Sequence, residues 1–157
     1  MVTAYDVAAT VVDPELPALT IAELGVLRDV RTPVDGTVEV DLTPTYLGCP
    51  ALETIRTDLE NALHGAGFAE VSVRTVLSPP WTSDWISETG LRKLHESGIA
   101  PPNRNLAGGS VLVELSVKCP RCDSLRTKEL ARFGSTACKA LWVCEACGEP
   151  FDRFKEH

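Results

Sequence analysis

Cys119-Pro120-Arg121-Cys122 and Cys144-Glu145-Ala146-Cys147, with 21 residues between them, decide how the last third of this chain must fold. A tetrahedral ion needs four ligands meeting at one point, and each C-x-x-C unit offers two thiolates from one tight turn whose backbone amides can face the sulfurs. Gly148 follows the second pair directly, where the chain has to bend sharply. Leu141-Trp142-Val143 leads into that pair as a strand, and Phe151 is placed to pack behind it. This is the grammar of a zinc ribbon, so Cys119, Cys122, Cys144 and Cys147 are the expected ligands of one structural zinc, with iron as the alternative. Four cysteines leave no coordination position for an activated water, which disfavours a hydrolytic zinc enzyme. A pair of redox thiols is the weaker reading, because neither unit follows a strand at the start of a clear helix. A module of about 45 residues is too small for an independent core, and by analogy with small zinc peptides metal closure contributes on the order of 10 kcal/mol to its folding.

Working upstream, residues 111–117 read as a strand running into Cys119. Residues 98–109 carry Pro101, Pro102, two asparagines and three glycines without periodicity, the composition of a boundary. The expected division is an α+β domain over residues 1–100, a linker over 101–110 and the cysteine module over 111–157. Inside the first domain the pattern predicts αββαβα. Residues 4–12 read as a short helix, stopped by Asp13-Pro14-Glu15-Leu16-Pro17. Residues 21–25 read as an apolar turn. Residues 26–30 and 37–42 alternate around Pro33 and Asp35-Gly36, an antiparallel hairpin. A helix is predicted over 51–64 from Leu52, Ile55, Leu59 and Leu63, then a strand over 70–77. Pro79-Pro80 ends that strand, and a second helix is expected to include Trp85, Ile86, Leu91 and Leu94, capped by Ser83 or Asp84.

The 157 residues have a formal net charge of -7, with 44% hydrophobic and 24% charged residues, ordinary for a globular chain with a real core. The charge is uneven: residues 1–109 hold 7 Lys/Arg against 15 Asp/Glu, and residues 110–157 hold 8 against 7. An acidic body repels phosphate backbones, so nucleic acid is not an expected partner. No run approaches 18 apolar residues, and the N-terminus lacks the pattern of a signal peptide. The expectation is a cytoplasmic protein with no membrane association and reduced thiols; the sequence is also compatible with a homodimer.

Two cysteines lie outside the C-x-x-C units. Cys49, in Thr43-Pro44-Thr45-Tyr46-Leu47-Gly48-Cys49-Pro50, sits where a strand hands over to a helix. Helix amides there can lower a thiol pKa, making it a candidate for metal or sulfur chemistry, with Asp13 and Glu15 as supporting acids if the N-terminal loop folds over it. A small side chain plugging the junction is the equal alternative. Cys138, in Gly134-Ser135-Thr136-Ala137-Cys138-Lys139, reads as a fifth thiolate near the ribbon or a buried thiol. His64 and His95 sit near helix C-termini, where imidazole favours the dipole, and His157 is terminal. Trp81 and Trp85 read either as a protein docking surface or as core. No catalytic triad order, phosphate loop or H-E-x-x-H pattern is present.

The segments Asp13-Pro14-Glu15-Leu16-Pro17, Leu24-Gly25-Val26 and Thr43-Pro44-Thr45 with Gly48-Cys49-Pro50 resemble the domain shared by iron–sulfur assembly factors of the SufT and cytosolic-assembly type. Ser78-Pro79-Pro80-Trp81-Thr82-Ser83-Asp84-Trp85-Ile86, and Phe133-Gly134-Ser135-Thr136-Ala137-Cys138-Lys139-Ala140-Leu141 between the two C-x-x-C units, resemble a narrower branch. That branch is the PaaD family, accessory proteins of the bacterial phenylacetyl-CoA epoxidase system. The resemblance runs over nearly the whole chain. It implies an accessory, non-catalytic part in maturing or inserting an iron–sulfur cluster, with the oxygenase and reductase subunits and the assembly machinery as partners and iron or a transient cluster as cargo. It also implies that Cys49 is the reactive position, with Asp13 and Glu15 in the same motif. A structural or electron-transfer component carrying the four-cysteine site is the competing function. Chains of this family often end Phe-Lys-Cys-His, whereas this one ends Phe154-Lys155-Glu156-His157, which weakens any scheme that pairs a terminal thiolate with Cys138.

Overall fold

The computed structural model describes residues 1–102 and 117–155. The chain divides into two compact units, Met1–Gly90 and Leu91–His157. The strand expected over 111–117 lies outside the described residues except for Val117, as do His157 and all of the expected linker beyond Pro101 and Pro102.

The first unit is built on a three-stranded sheet in the order β1-β2-β3. β1 (Leu27–Arg31) and β2 (Val38–Leu42) form the expected antiparallel hairpin. β3 (Val71–Thr75) runs parallel to β2, because the chain crosses back through helix α3 (Ala51–Gly65), making a βαβ unit. Val38, Val40 and Leu42, alternating along β2, are all fully buried. Along α3 the buried stripe is Ala51, Ile55, Leu59 and Leu63, every fourth residue; Leu52 is half-exposed beside it. α3 packs on β3 and on the short helix α1 (Ala4–Ala8). α1 ends earlier than the periodicity predicts, since Val12 leaves the helix to form a bridge with Thr20.

Two local structures differ from expectation. The apolar turn at 21–25 is a one-turn helix, α2 (Ile21–Leu24), bounded by a capping box between Thr20 and Glu23 and ended by Gly25 in the left-handed region at φ 79. A Cβ on Gly25 would lie 2.6 Å from the Cβ of Trp85, so backbone conformation and packing both demand glycine there. The second predicted helix does not include Trp85. Thr82 caps a single 3-10 turn over Ser83–Trp85, and Ile86 is extended and buried. The helix restarts as α4 (Glu88–Glu96), with Ser87 Oγ accepting the Gly90 amide at 3.0 Å. Ser87, not Ser83 or Asp84, is therefore the effective N-cap.

The second unit holds a four-stranded sheet in the order β4-β7-β6-β5. β5 (Thr127–Ala131), β6 (Lys139–Cys144) and β7 (Pro150–Phe154) are antiparallel neighbours, and the two-residue strand β4 (Ile99–Ala100) adds parallel to β7. One cluster of its buried residues is Ala100, Val117, Cys119, Cys144 and Phe151, with Trp142 partly buried against it; Leu94, Cys138, Ala140 and Phe154 are buried in the same unit. Two members of that cluster are cysteines of the C-x-x-C units, so the first sulfur of each turn is packed into the unit's interior.

On the sheet of the first unit, Asp41 sits between two guanidinium groups. Arg31 reaches its carboxylate at 2.8 and 3.2 Å and Arg74 at 2.9 and 3.1 Å. Hydrogen bonds from Arg31 and then Arg74 hold the Asp41 carboxyl down to about 2 against the cost of burial. A carboxyl with a folded pKa below its ordinary value stabilises the fold above pH ~4 and loses that contribution as pH falls through ~2. We expect urea titrations of the intact chain to show stability declining between pH ~4 and ~2, and Asp41→Asn to flatten that decline while lowering stability at pH ~7. An unchanged acid profile would rule out the link.

Candidate metal centre and thiol site

The two C-x-x-C turns are built alike. In the first, the Asp123 amide bonds the Cys119 carbonyl at 3.0 Å and the Cys119 amide bonds the Ser124 carbonyl at 2.9 Å; in the second, Gly148 and Glu149 do the same to Cys144 at 2.9 and 3.0 Å. The residue after each pair takes a positive φ, 61 at Asp123 and 79 at Gly148. Gly148 was legible as the bend residue; Asp123 performs the same turn with a side chain that tolerates the left-handed region. Arg121 donates its amide to Cys119 Sγ at 3.4 Å and Cys147 donates its amide to Cys144 Sγ at 3.5 Å. Phe151 lies behind the second turn in the core, as expected.

These turns bring the four sulfurs together. All lie within 4.8 Å of one another, with Cys119 to Cys147 at 3.9 Å and Cys122 to Cys144 at 3.5 Å. A tetrahedron with Zn–S bonds of about 2.3 Å has sulfurs about 3.8 Å apart, so the donor set fits a zinc or similar thiophilic ion. The charge balance points the same way. The Cys147 amide, aided by the Ala146 amide and Cys122, draws the Cys144 thiol down to about 6 despite its burial. At Cys122 the Ser124 amide favours the thiolate, but the sulfur of Cys144, then desolvation, then Cys147 and Cys119 push the thiol up to about 12. Four thiolates at this spacing repel one another unless a cation sits among them. Among the described residues this is the one group of three or more His, Cys, Asp or Glu side chains whose donor atoms converge. None of the six cysteines is in a disulfide.

Cys49 is at the other end of the sequence argument. It is half-buried, in the loop between β2 and α3, and its carbonyl accepts the Leu52 amide at 3.2 Å. The expected lowering of its pKa is reversed: burial raises it most, the Ala51 amide and the Tyr46 hydroxyl pull it down, and the carboxylates of Glu15 and Asp13 raise it further. The N-terminal loop does therefore bring Asp13 and Glu15 within electrostatic reach of the thiol. Asp13, however, is buried and committed to the backbone, its Oδ1 accepting the amides of Glu15 at 2.7 Å and Leu16 at 3.1 Å. It holds the loop that carries Glu15. Leu47, exposed two residues before the thiol, is a feature that residue patterning did not single out.

The remaining candidates are sorted by burial. Trp81 is core and not docking surface: it is 5% exposed and its Nε1 donates to the Leu24 carbonyl at 3.0 Å. Trp85 is half-exposed, with the Arg28 guanidinium 3.5 Å from its ring centroid. Cys138 is buried in the second unit beside the Thr136 hydroxyl at 3.0 Å, and is outside the converging group. His64 Nδ1 lies 2.9 Å from the Phe68 carbonyl, and His95 Nε2 lies 3.9 Å from Asp123 Oδ1. No helix among the described residues is long and apolar enough to cross a membrane.

Residues 5–75 match the family model described as iron–sulfur cluster assembly protein, and residues 107–155 match the PaaD zinc beta ribbon domain. A protein of Escherichia coli (strain K12), named provisionally as one of the subunits of 1,2-phenylacetyl-CoA epoxidase, is 46% identical over 145 residues, spanning 91% of this chain and 85% of its own. The Fe-S protein maturation auxiliary factor YitW of Bacillus subtilis (strain 168) is 40% identical over 80 residues, 49% of this chain and 76% of its own. Among solved structures, a domain of unknown function, DUF59, from Bacillus anthracis superposes with a TM-score of 0.54 at 29% identity, over 58% of this chain and 87% of that one.

Metal ligands must be thiolates, so binding weakens as protons compete. We expect one metal ion per chain at neutral pH, progressive release on acidification, and stoichiometric loss in Cys144→Ala, read by elemental analysis of dialysed protein. Full retention in that variant would place the ion elsewhere.

Proposed function

The chain belongs to the PaaD family, and from that premise we propose that it serves a phenylacetyl-CoA epoxidase system by assisting iron–sulfur cluster assembly in the partner reductase, with a structural zinc on Cys119, Cys122, Cys144 and Cys147. Its role is that of an accessory protein without an independent catalytic activity, in keeping with relatives named as maturation auxiliary factors. The observation that carries the proposal is the joining, in one chain, of an assembly-type domain to a ribbon closed on four sulfurs.

The division of labour follows from the chemistry of the two thiol sites. Four sulfurs that fill a tetrahedron leave no coordination position for cargo, so the ribbon is a clasp and not a cluster carrier. Cys49 is the thiol set apart from that clasp, half-buried at a loop. Burial and the Glu15 and Asp13 carboxylates hold it protonated at rest. An iron centre or a cationic partner group approaching it offsets those carboxylates and favours the thiolate, which is the form that binds metal. Exposed Leu47 beside it and half-exposed Trp85 on the same unit are among the apolar groups a partner can meet.

A second reading gives the four sulfurs iron and an electron-transfer role, and draws on the exposure of Cys122 and Cys147. It requires a coloured protein. Anaerobically purified chain is expected to be colourless with one zinc, and visible absorption with stoichiometric iron would favour the second reading.

Cys49→Ala is expected to fold, to keep its zinc, and to lower the cluster content of a co-produced reductase several-fold. A reductase with full cluster content beside that variant would remove Cys49 from the function.

A further inference from the structure

The four sulfurs of the ribbon differ in access. Cys119 and Cys144, the first cysteine of each turn, are fully buried in the core of the unit. Cys122 and Cys147, the second of each turn, are exposed. A small oxidant from solvent therefore meets the sulfurs of Cys122 and Cys147 before those of Cys119 and Cys144. Reactivity of a thiolate follows its access and charge, and a thiolate held by a cation is already deprotonated. Two sulfur contacts each join an exposed cysteine of one turn to a buried cysteine of the other, and Cys122 to Cys144, at 3.5 Å, is closer than Cys119 to Cys147, at 3.9 Å.

We propose that this clasp is also a peroxide-operated switch, in which Cys122 is oxidised first and is resolved by Cys144 as a disulfide between the two turns, releasing the metal. The inference rests on the zinc reading above. Hydrogen peroxide, which an oxygen-using partner sheds when its turnover is uncoupled, is the oxidant. The Cys122 thiolate attacks one peroxide oxygen, forming an S–O bond as the O–O bond breaks and hydroxide leaves to be protonated to water. The Cys144 thiolate then attacks the Cys122 sulfur, forming the S–S bond as the S–O bond breaks and a second hydroxide leaves, also protonated to water. Two thiolates lose two electrons, and one peroxide with two solvent protons becomes two waters. Cys119 and Cys147 remain as ligands, two where the ion needs four, and cannot retain it.

The disulfide links the same two turns that the metal links. The ribbon thus exchanges one clasp for another, and reduction with zinc present reverses the exchange. A bond within one turn, Cys119 to Cys122 or Cys144 to Cys147, would leave the turns untied from each other.

The test uses the full chain loaded with zinc, whose metal is counted before any peroxide is added. A chain isolated with iron defeats the metal reading at that stage, and the switch is then examined on zinc-reconstituted protein. Peroxide at tenfold excess is followed with a chromophoric zinc chelator, thiol titration and tryptic mapping. Cleavage after Lys118, Arg121 and Lys139 puts Cys119, Cys122 and the second turn on separate peptides. The expected result is one zinc released and two thiols lost per chain, with peptide 122–126 joined to peptide 140–153 through Cys144. Cys49→Ala should release zinc at the same rate, and dithiothreitol with zinc should restore both metal and thiols. Retained zinc, a disulfide within one turn, or thiol loss confined to Cys49 and Cys138 would each overturn the switch.

Discussion

Everything in the C-terminal unit depends on four sulfurs being held close enough to repel. Cys122 and Cys144 stand 3.5 Å apart and Cys119 and Cys147 3.9 Å apart, and Cys119 and Cys144 are fully buried, packed with Ala100, Val117 and Phe151. A cluster of that kind destabilises the fold when its charges are uncompensated, and stabilises it when a divalent ion sits at its centre. The twin hydrogen-bonding patterns at Asp123 and Gly148 show the backbone shaped to that end, with each turn directing an amide at a buried sulfur.

The first unit needs no such device. Its sheet buries Val38, Val40 and Leu42 and its helix α3 buries Ile55, Leu59 and Leu63, enough apolar surface to hold a βαβ unit together. Cys49 lies in this unit, half-buried at a loop, with the carboxylates of Glu15 and Asp13 within electrostatic reach. In the proposed reading, the four converging sulfurs hold the ribbon together, and Cys49, whose burial and nearby carboxylates favour the protonated thiol, stands apart from them.

Much of this was legible in the residues. Cysteine spacing pointed to the four sulfurs that converge because a C-x-x-C turn has little conformational choice, and the alternation around Pro33 and Asp35-Gly36 pointed to the hairpin for the same reason. Long-range facts were not legible. That β3 pairs parallel to β2 depends on where α3 returns the chain, and that Trp81 is core depends on the Leu24 carbonyl, 57 residues away. Cys49 was misjudged in its acidity because nearness to helix amides can be read from sequence, whereas the burial that outweighs them cannot. Two local signals were present and unread: the Thr20-x-x-Glu23 capping box that makes α2 a helix, and Ser87 three residues before Gly90, which restarts the chain as α4.

The central claim is that the four cysteines form a closed zinc site, distinct from the working thiol. X-ray absorption at the zinc edge tests it most directly, on the full chain and on the Cys49→Ala variant. The account predicts four sulfur neighbours at about 2.3 Å in both proteins and no lighter scatterer. An oxygen or nitrogen neighbour, or a first shell that changes when Cys49 is removed, would contradict it.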